Sequence, residues 1–417
     1  MYRKSILPNG VRVVSEVIPY VKSVTLGIWI GTGSRFEDEH NHGVSHFIEH
    51  MVFKGTHNRS AKDLAEMVDE VGGQLNAFTD KEHTCYYIKV LDTHLELALD
   101  VLSDMLLSSK FDDEDINRER EVVLEEVHMY EDTPDELVHD IHLSNIWAGH
   151  ALGRNILGTI PAIEKFDKSL IYEYYKEFYT PDNIVIAAAG NFNHERLEEL
   201  AERYFGKMAG NKQQVRLAPP IIIPANTIQT KAIEQVHLCL GTTSVPQSSP
   251  DIYTIHILNN ILGGGISSRL FQSIREEKGL AYSIYSDQIN YSDCGLLTIY
   301  AGARPSNMAE VIELIRQNIA ELKAEGITPR ELTKAKEQLK GSLLLGLESS
   351  SSRMSRIGRM EITLGKHIPL DEVVANIEKV SLEDLKQITQ QLFNPETLCF
   401  TALGPVTEEV VNEIKRF

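Results

Sequence analysis

The sequence predicts an α+β protein of two homologous domains, each a largely antiparallel sheet flanked by helices. Three observations carry this. Strand-like and helix-like stretches come in batches, not in the strict strand–helix alternation that marks a parallel sheet. The 417-residue chain repeats itself once, at about half its length. A polar and then proline-bearing stretch, GNKQQVRLAPPIIIPA over residues 210–225, separates the two copies and suits an extended linker. The expected domains are therefore 1–212 and 226–417, joined by a linker over 213–225.

The repeat shows at both ends of each copy. Pro181 and Gly190 bracket the segment PDNIVIAAAG, and Pro395 and Gly404 bracket PETLCFTALG, with both pairs 214 residues apart. A short helix is expected after each segment, one from His194 and one from Thr407. Near the front, IWIGTGS from Ile28 resembles LCLGTTS from Leu238, 210 residues later. That period is too long for a solenoid and means a duplicated domain.

In chain order, residues 11–17 and 24–29 read as alternating strands. Residues 43–53, GVSHFIEHMVF, read as a buried helix, and 61–71 as a periodic one. Residues 75–79 and 84–90 are strands around a turn at Asp80-Lys81-Glu82. A helix with an apolar face follows over 95–107. A charged helix over 113–130 turns Ile116, Val123, Leu124 and Val127 inward. In the second copy the long helices are 307–325 and 329–347.

Composition bounds the function. Hydrophobic content of 42% and charged content of 24% are those of an ordinary soluble globular protein. A net charge of −19 argues against nucleic-acid binding, which needs clustered Lys and Arg. The four cysteines, Cys85, Cys239, Cys294 and Cys399, form no C-x-x-C pair and read as free thiols of a reducing compartment. No apolar leader segment opens the chain, and no apolar run approaches a membrane span, so a cytoplasmic enzyme is expected.

The chemistry concentrates in residues 43–53. His46 and His50 stand one helical turn apart and project from one face, as two nitrogen ligands of a single cation would. Glu49 lies on that face, where a carboxylate can take a proton from water at the metal. A buried helix with two hydrogen-bonded histidines is the bland alternative. The repeat argues against it. At the 210 offset, His46 meets His256, but Glu49 and His50 meet Asn259 and Asn260, so the fold forms without the acid and the second histidine. A catalytic zinc needs a third protein ligand. The helix EREVVLEEV holds the candidates Glu119, Glu125 and Glu126, and spacing alone does not choose among them. Overlaying Asp115-Ile116 on Glu331-Leu332 places Ala335 and Ser342 opposite Glu119 and Glu126, so the second copy lacks both acids.

The H-x-x-E-H run at His46–His50, with an acid 76 residues after the second histidine, resembles the inverted-motif zinc peptidases of the pitrilysin, insulin-degrading enzyme and mitochondrial processing peptidase family. The resemblance covers the whole chain. It implies one zinc ion per chain, with His46, His50 and Glu126 as ligands, Glu49 as general base and Glu119 as a supporting acid. It implies that a peptide adds as a strand to GQLNAFT, with Asn76 and Ala77 at the substrate. It implies that Arg275 and Tyr282, seven apart after the Gly263-Gly264-Gly265 loop, reach the substrate carbonyl. Single-chain relatives have four such domains closing as two bowls around a chamber. A two-domain chain is therefore expected to work as a homodimer cutting peptides or unfolded segments. The other readings are a catalytic subunit beside an inactive paralogue and a non-catalytic structural subunit.

Overall fold

The computed structural model describes residues 1–211 and 217–417; the first residues of the expected linker, 213–216, lie outside the described residues. Along the first part of the chain run β1 (Tyr2–Ile6), β2 (Arg12–Val17), β3 (Ser23–Ile30), α1 (Val44–Val52), α2 (Ala61–Asp69), β4 (Gln74–Thr79), β5 (Thr84–Leu91), α3 (Leu95–Leu107), α4 (Asp113–Glu131), α5 (Pro134–Ile146), α6 (Ile160–Ile163), α7 (Lys168–Phe178), β6 (Ile184–Gly190) and α8 (His194–Phe205). The remainder supplies β7 (Asn226–Gln229), β8 (Val236–Ser244), α9 (Ile252–Leu262), β9 (Ala281–Asn290), β10 (Gly295–Ala303), α10 (Pro305–Glu325), α11 (Pro329–Gly346), α12 (Ser350–Leu364), α13 (Leu370–Lys379), α14 (Leu382–Leu392), β11 (Cys399–Leu403) and α15 (Glu408–Ile414).

The strands form two sheets, in the orders β1-β2-β6-β3-β5-β4 and β7-β11-β8-β10-β9. Every pairing is antiparallel except β2 with β6 and β7 with β11. The repeat is therefore structural: β6, β3, β5 and β4 correspond in order to β11, β8, β10 and β9. The predicted strands and helices match these elements to within two residues at each end. The strand β1 was not anticipated.

The two compact units do not follow chain order. One comprises Met1–Met129, Arg154–Leu217 and Leu345–His367; the other comprises Tyr130–Gly153, Ala218–Leu344 and Ile368–Phe417. The expected boundaries divided the chain at the linker, so this is a different partition. Each unit takes one helix from the other half: α12 belongs with the first sheet and α5 with the second.

The reason is that the central strands are apolar on both faces. All seven residues of β6 are buried, and a strand buried on both sides needs cover on both sides. One face of the first sheet, with Val13, Leu26, Ile28, Ile88 and Ile186, joins the core that includes α1, α3, α7 and α8. The opposite face, with Val14, Trp29, Cys85, Val185 and Ala187, is covered by Met354 and Ile357 of α12. The backbones approach closely there: a Cβ on Gly358 would lie 2.2 Å from Trp29 Nε1. Glu361 of α12 is buried and paired with Lys4 (2.8 Å) and Arg12 (3.3 Å). In the second unit α5 plays the same part, packing Val138 with Cys239, Tyr300 and Leu403. His142 Nδ1 of α5 meets Thr401 Oγ1 of β11 at 3.0 Å.

Candidate metal centre and active site

The first functional element is α1. Gly43 precedes it with φ +97°, a left-handed conformation that L side chains rarely adopt. A Cβ there would also sit 2.5 Å from Leu157 O. The buried carboxylate of Glu37 closes the open end of the helix, accepting from Gly43 N (2.7 Å) and Ser45 N (2.8 Å). Free N–H groups and the positive end of the helix dipole favour an anion at that end. Val44, Phe47, Ile48, Met51 and Val52 are buried. The helix is thus anchored on its apolar sides, and His46, Glu49 and His50 share the remaining one.

The second element is α4, which buries Ile116, Glu119, Val123 and Val127. Its carboxylates separate by role. Glu126 Oε2 lies 3.7 Å from His46 Nε2 and 3.6 Å from His50 Nε2, and the two imidazole nitrogens are 3.2 Å apart. Glu119, two turns earlier, approaches His50 from behind, with Oε1 2.8 Å from Nδ1. Glu125 is exposed. Of the three acids that spacing left open, Glu126 is the one brought to both Nε2 atoms, Glu119 lies on the far side of His50, and Glu125 is turned away.

His46, His50 and Glu126 form the single cluster of three or more possible metal ligands among the described residues. A tetrahedral ion with ligands at about 2.0–2.2 Å holds its donor atoms about 3.3–3.6 Å apart, close to the three distances seen here. The electrostatics suit the same occupant. Burial, then the neighbouring His50, pushes His46 down to about 3, so its ring is neutral with an available lone pair. The other ring nitrogen, Nδ1, is buried without a hydrogen-bond partner among the described residues. Burial works against a charge on Glu119, but the hydrogen bonds from His50 and Lys54 outweigh it and hold its carboxyl below the usual range. On His50 burial again opposes the charge, but the Glu119 carboxylate on Nδ1, with Glu126 and Glu49, outweighs it and raises the His50 pKa. The same carboxylate holds the proton on Nδ1, and Nε2 is left turned to the space between His46 and Glu126. The donor set and its spacing fit a zinc ion.

Glu49 is not part of this triangle. It accepts a hydrogen bond from Thr79 Oγ1, at the end of β4. Burial raises its pKa, and the Thr79 bond and His50 only partly offset this. Strand β4 is an edge of the first sheet. On it Asn76 is exposed and Ala77 half-buried, and Ala77 N–H donates to Asn76 Oδ1 (2.8 Å). Thr79 thus joins the edge strand to the acid on α1. Sequence reasoning missed Thr79, Lys54 and Glu37. Lys54 stands one helical turn beyond His50, and that spacing was a usable signal. Thr79 and Glu37 act through contacts that no local spacing shows.

Arg275 and Tyr282 lie in the second unit. Arg275 sits on a π-helical turn, Phe271–Glu276, with its guanidinium 4.9 Å from the Phe271 ring centre and 5.7 Å from that of Tyr282. Such turns are found frequently at functional sites. Tyr282, on β9, is 77% exposed. It lines a cavity of about 620 Å³ together with Tyr285, Tyr300, His139, Asp135 and Glu234. In the second copy of the metal helix, Asn259 Oδ1 accepts from Ser286 Oγ at 2.6 Å, so the position of the lost acid serves packing.

A duplicated α+β fold in which one copy gathers His46, His50 and Glu126 defines a class of two-domain protein with a candidate metal site on one domain. The chain belongs to peptidase family M16: residues 12–160 match the insulinase (peptidase family M16) model, and residues 165–339 match the model described as the peptidase M16 inactive domain. It is 46% identical to the uncharacterized zinc protease YmxG of Bacillus subtilis, over 95% of this chain and 97% of that one. It is 38% identical to an uncharacterized zinc protease of Streptomyces coelicolor, over 99% of this chain and 91% of the other. Among solved structures, a protease from Helicobacter pylori matches with a TM-score of 0.90 at 23% identity, covering 97% of this chain and all of that one. A peptidase M16 inactive domain from Pseudomonas fluorescens also matches at 0.90, with 19% identity and 98% of each chain covered. These two likenesses concern the fold. No helix among the described residues is long and apolar enough to cross a membrane.

Proposed function

We propose that this chain is a zinc metalloendopeptidase that cleaves peptides or unfolded segments. The observation that carries the reading is the triangle of His46 Nε2, His50 Nε2 and Glu126 Oε2, with Glu49 beside it but bound elsewhere. Membership of the family, and relatives named zinc proteases, support it. His46, His50 and Glu126 hold one zinc ion per chain. Bound zinc polarises a carbonyl and makes water a stronger acid. Glu49 is the general base: its carboxylate accepts a proton from the attacking water and returns it to the leaving amine. Thr79 aims that carboxylate.

The peptide adds to the free edge of β4, as backbone pairing requires no particular side chain. A peptide carbonyl takes over the Ala77 N–H from Asn76. Arg275 and Tyr282 donate to the substrate carbonyl, where a donor aimed at developing charge contributes about 3–4 kcal/mol. The working form is a cytoplasmic homodimer, each chain contributing one bowl of a chamber that excludes folded proteins.

Two variants test the division of roles. Glu49→Gln should retain zinc by metal analysis and lose peptide cleavage by about 10²–10⁴-fold. His50→Ala should lose most of the zinc. A Glu49→Gln protein with near-normal turnover, or a His50→Ala protein with its full zinc complement, overturns the assignment.

A further inference from the structure

Resting on the zinc site just proposed, the geometry points to Lys54 as a positioning residue that sets metal affinity from outside the ligand set. We infer that Lys54 acts through Glu119 on His50. Lys54 is the fourth residue after His50, just past the end of α1, so its side chain runs back along the same face. Its Nζ pairs with Glu119 Oε2, while Glu119 Oε1 faces His50 Nδ1 at 2.8 Å. Glu119 is 5% exposed at its side chain and Lys54 is 36% exposed. The carboxylate is thus pinned at both oxygens, one by the ammonium and one by the imidazole.

The consequence concerns direction. With Oε2 held by Lys54, Oε1 stays in the plane that receives His50 Nδ1–H, and the His50 ring is fixed with Nε2 toward Glu126. Freed from Lys54, the buried carboxylate has one oxygen without its cation and can rotate about its terminal bond. The His50 ring then loses its fixed orientation, and the donor triangle spreads. Partners behind a metal-ligating histidine typically change metal affinity by about 10–100-fold. Lys54 touches none of the triangle atoms, so this effect is indirect.

The test measures zinc binding by the full-length chain in competition with a chromogenic chelator, without reference to turnover. Lys54→Met should raise the zinc dissociation constant by about 10–100-fold, and Lys54→Arg should recover most of that loss by restoring a donor to Glu119. In a Glu119→Gln background, Lys54→Met should add little, because the relay is already broken. If Lys54→Met does not fold, Lys54→Gln replaces it. A dissociation constant unchanged within about twofold in Lys54→Met (or in Lys54→Gln in its place), or an equal loss with and without Glu119, overturns the inference. Wild-type protein that takes up no zinc instead overturns the metal reading, so the two failures are distinct.

Discussion

Glu119 and Glu126 are chemically identical and lie two turns apart on one helix, yet they act on opposite sides of the same imidazole. What separates them is burial and reach. Glu126 is half-exposed and faces both Nε2 atoms, whereas Glu119 is buried behind His50. A third glutamate, Glu331, shows how hydrogen bonds and charge pairing together move a carboxyl against burial. Burial opposes its ionisation, but two bonds from Arg269 (2.7 and 2.9 Å) and the Thr328 donors outweigh it and hold its pKa down to about 2. An unfolded glutamate titrates near ~4.3. The folded pKa is the lower one, so its stabilisation is complete above the unfolded value and drains away as pH falls from ~4.3 through about 2. Melting temperatures of wild type and Glu331→Gln should therefore differ at neutral pH and converge as the acid end of that window is reached. A difference that persists undiminished there would assign the effect to packing.

At the scale of single elements, sequence reading found what has a period and missed what lacks one. The helices α1, α3, α4 and α10 carry long apolar repeats, and β2 to β6 carry apolar strands, so their positions were legible. α5 and α12 carry no long apolar repeat: α5 buries Val138, Leu143 and Ile146 around His142, and α12 buries Met354 and Ile357 among Ser350, Gly358 and Glu361. A helix that meets a sheet through small residues leaves little hydrophobic signature. The Gly358 contact is open to a direct test. Gly358→Ala should lower stability by about 1–3 kcal/mol, because the added methyl overlaps the Trp29 ring. Gly341 of α11 has nothing within 4 Å, so Gly341→Ala should instead gain up to about 1 kcal/mol from helix propensity alone. Chemical denaturation of both variants checks the pair; destabilisation of equal size in each would remove the argument for close packing.

For the whole molecule, the duplication was legible and the exchange of helices was not. The first shows in paired Pro and Gly positions 214 residues apart, while the second depends on contacts far apart in sequence, such as Trp29 with Met354, 325 residues apart, and His142 with Thr401, 259 apart. Of the residues proposed as metal ligands, H-x-x-E-H fixes two locally; the third came from resemblance, since three acids on α4 satisfied the spacing. The proposed homodimer has its own test. Glu49→Gln and Arg275→Ala chains, each inactive alone, are mixed and allowed to exchange subunits. If groups from two chains serve one zinc, some mixed dimers recover an intact site and cleavage returns. If each chain is complete alone, mixing restores nothing, and the shared site is wrong.

The covering of Trp29 by α12 sets a schedule for synthesis. The first unit includes residues up to His367, so the ribosome has made most of the chain before that unit can close. Until then the Trp29 face of the first sheet stays open, and the nascent first half presents apolar strand surface of the kind chaperones hold. The two units are thus born together, not in sequence. Residues 1–217 produced alone should be insoluble or trapped on chaperones, and residues 218–417 supplied in the same cell should rescue them. A soluble, cooperatively melting 1–217 fragment would show that the sheet tolerates its missing cover.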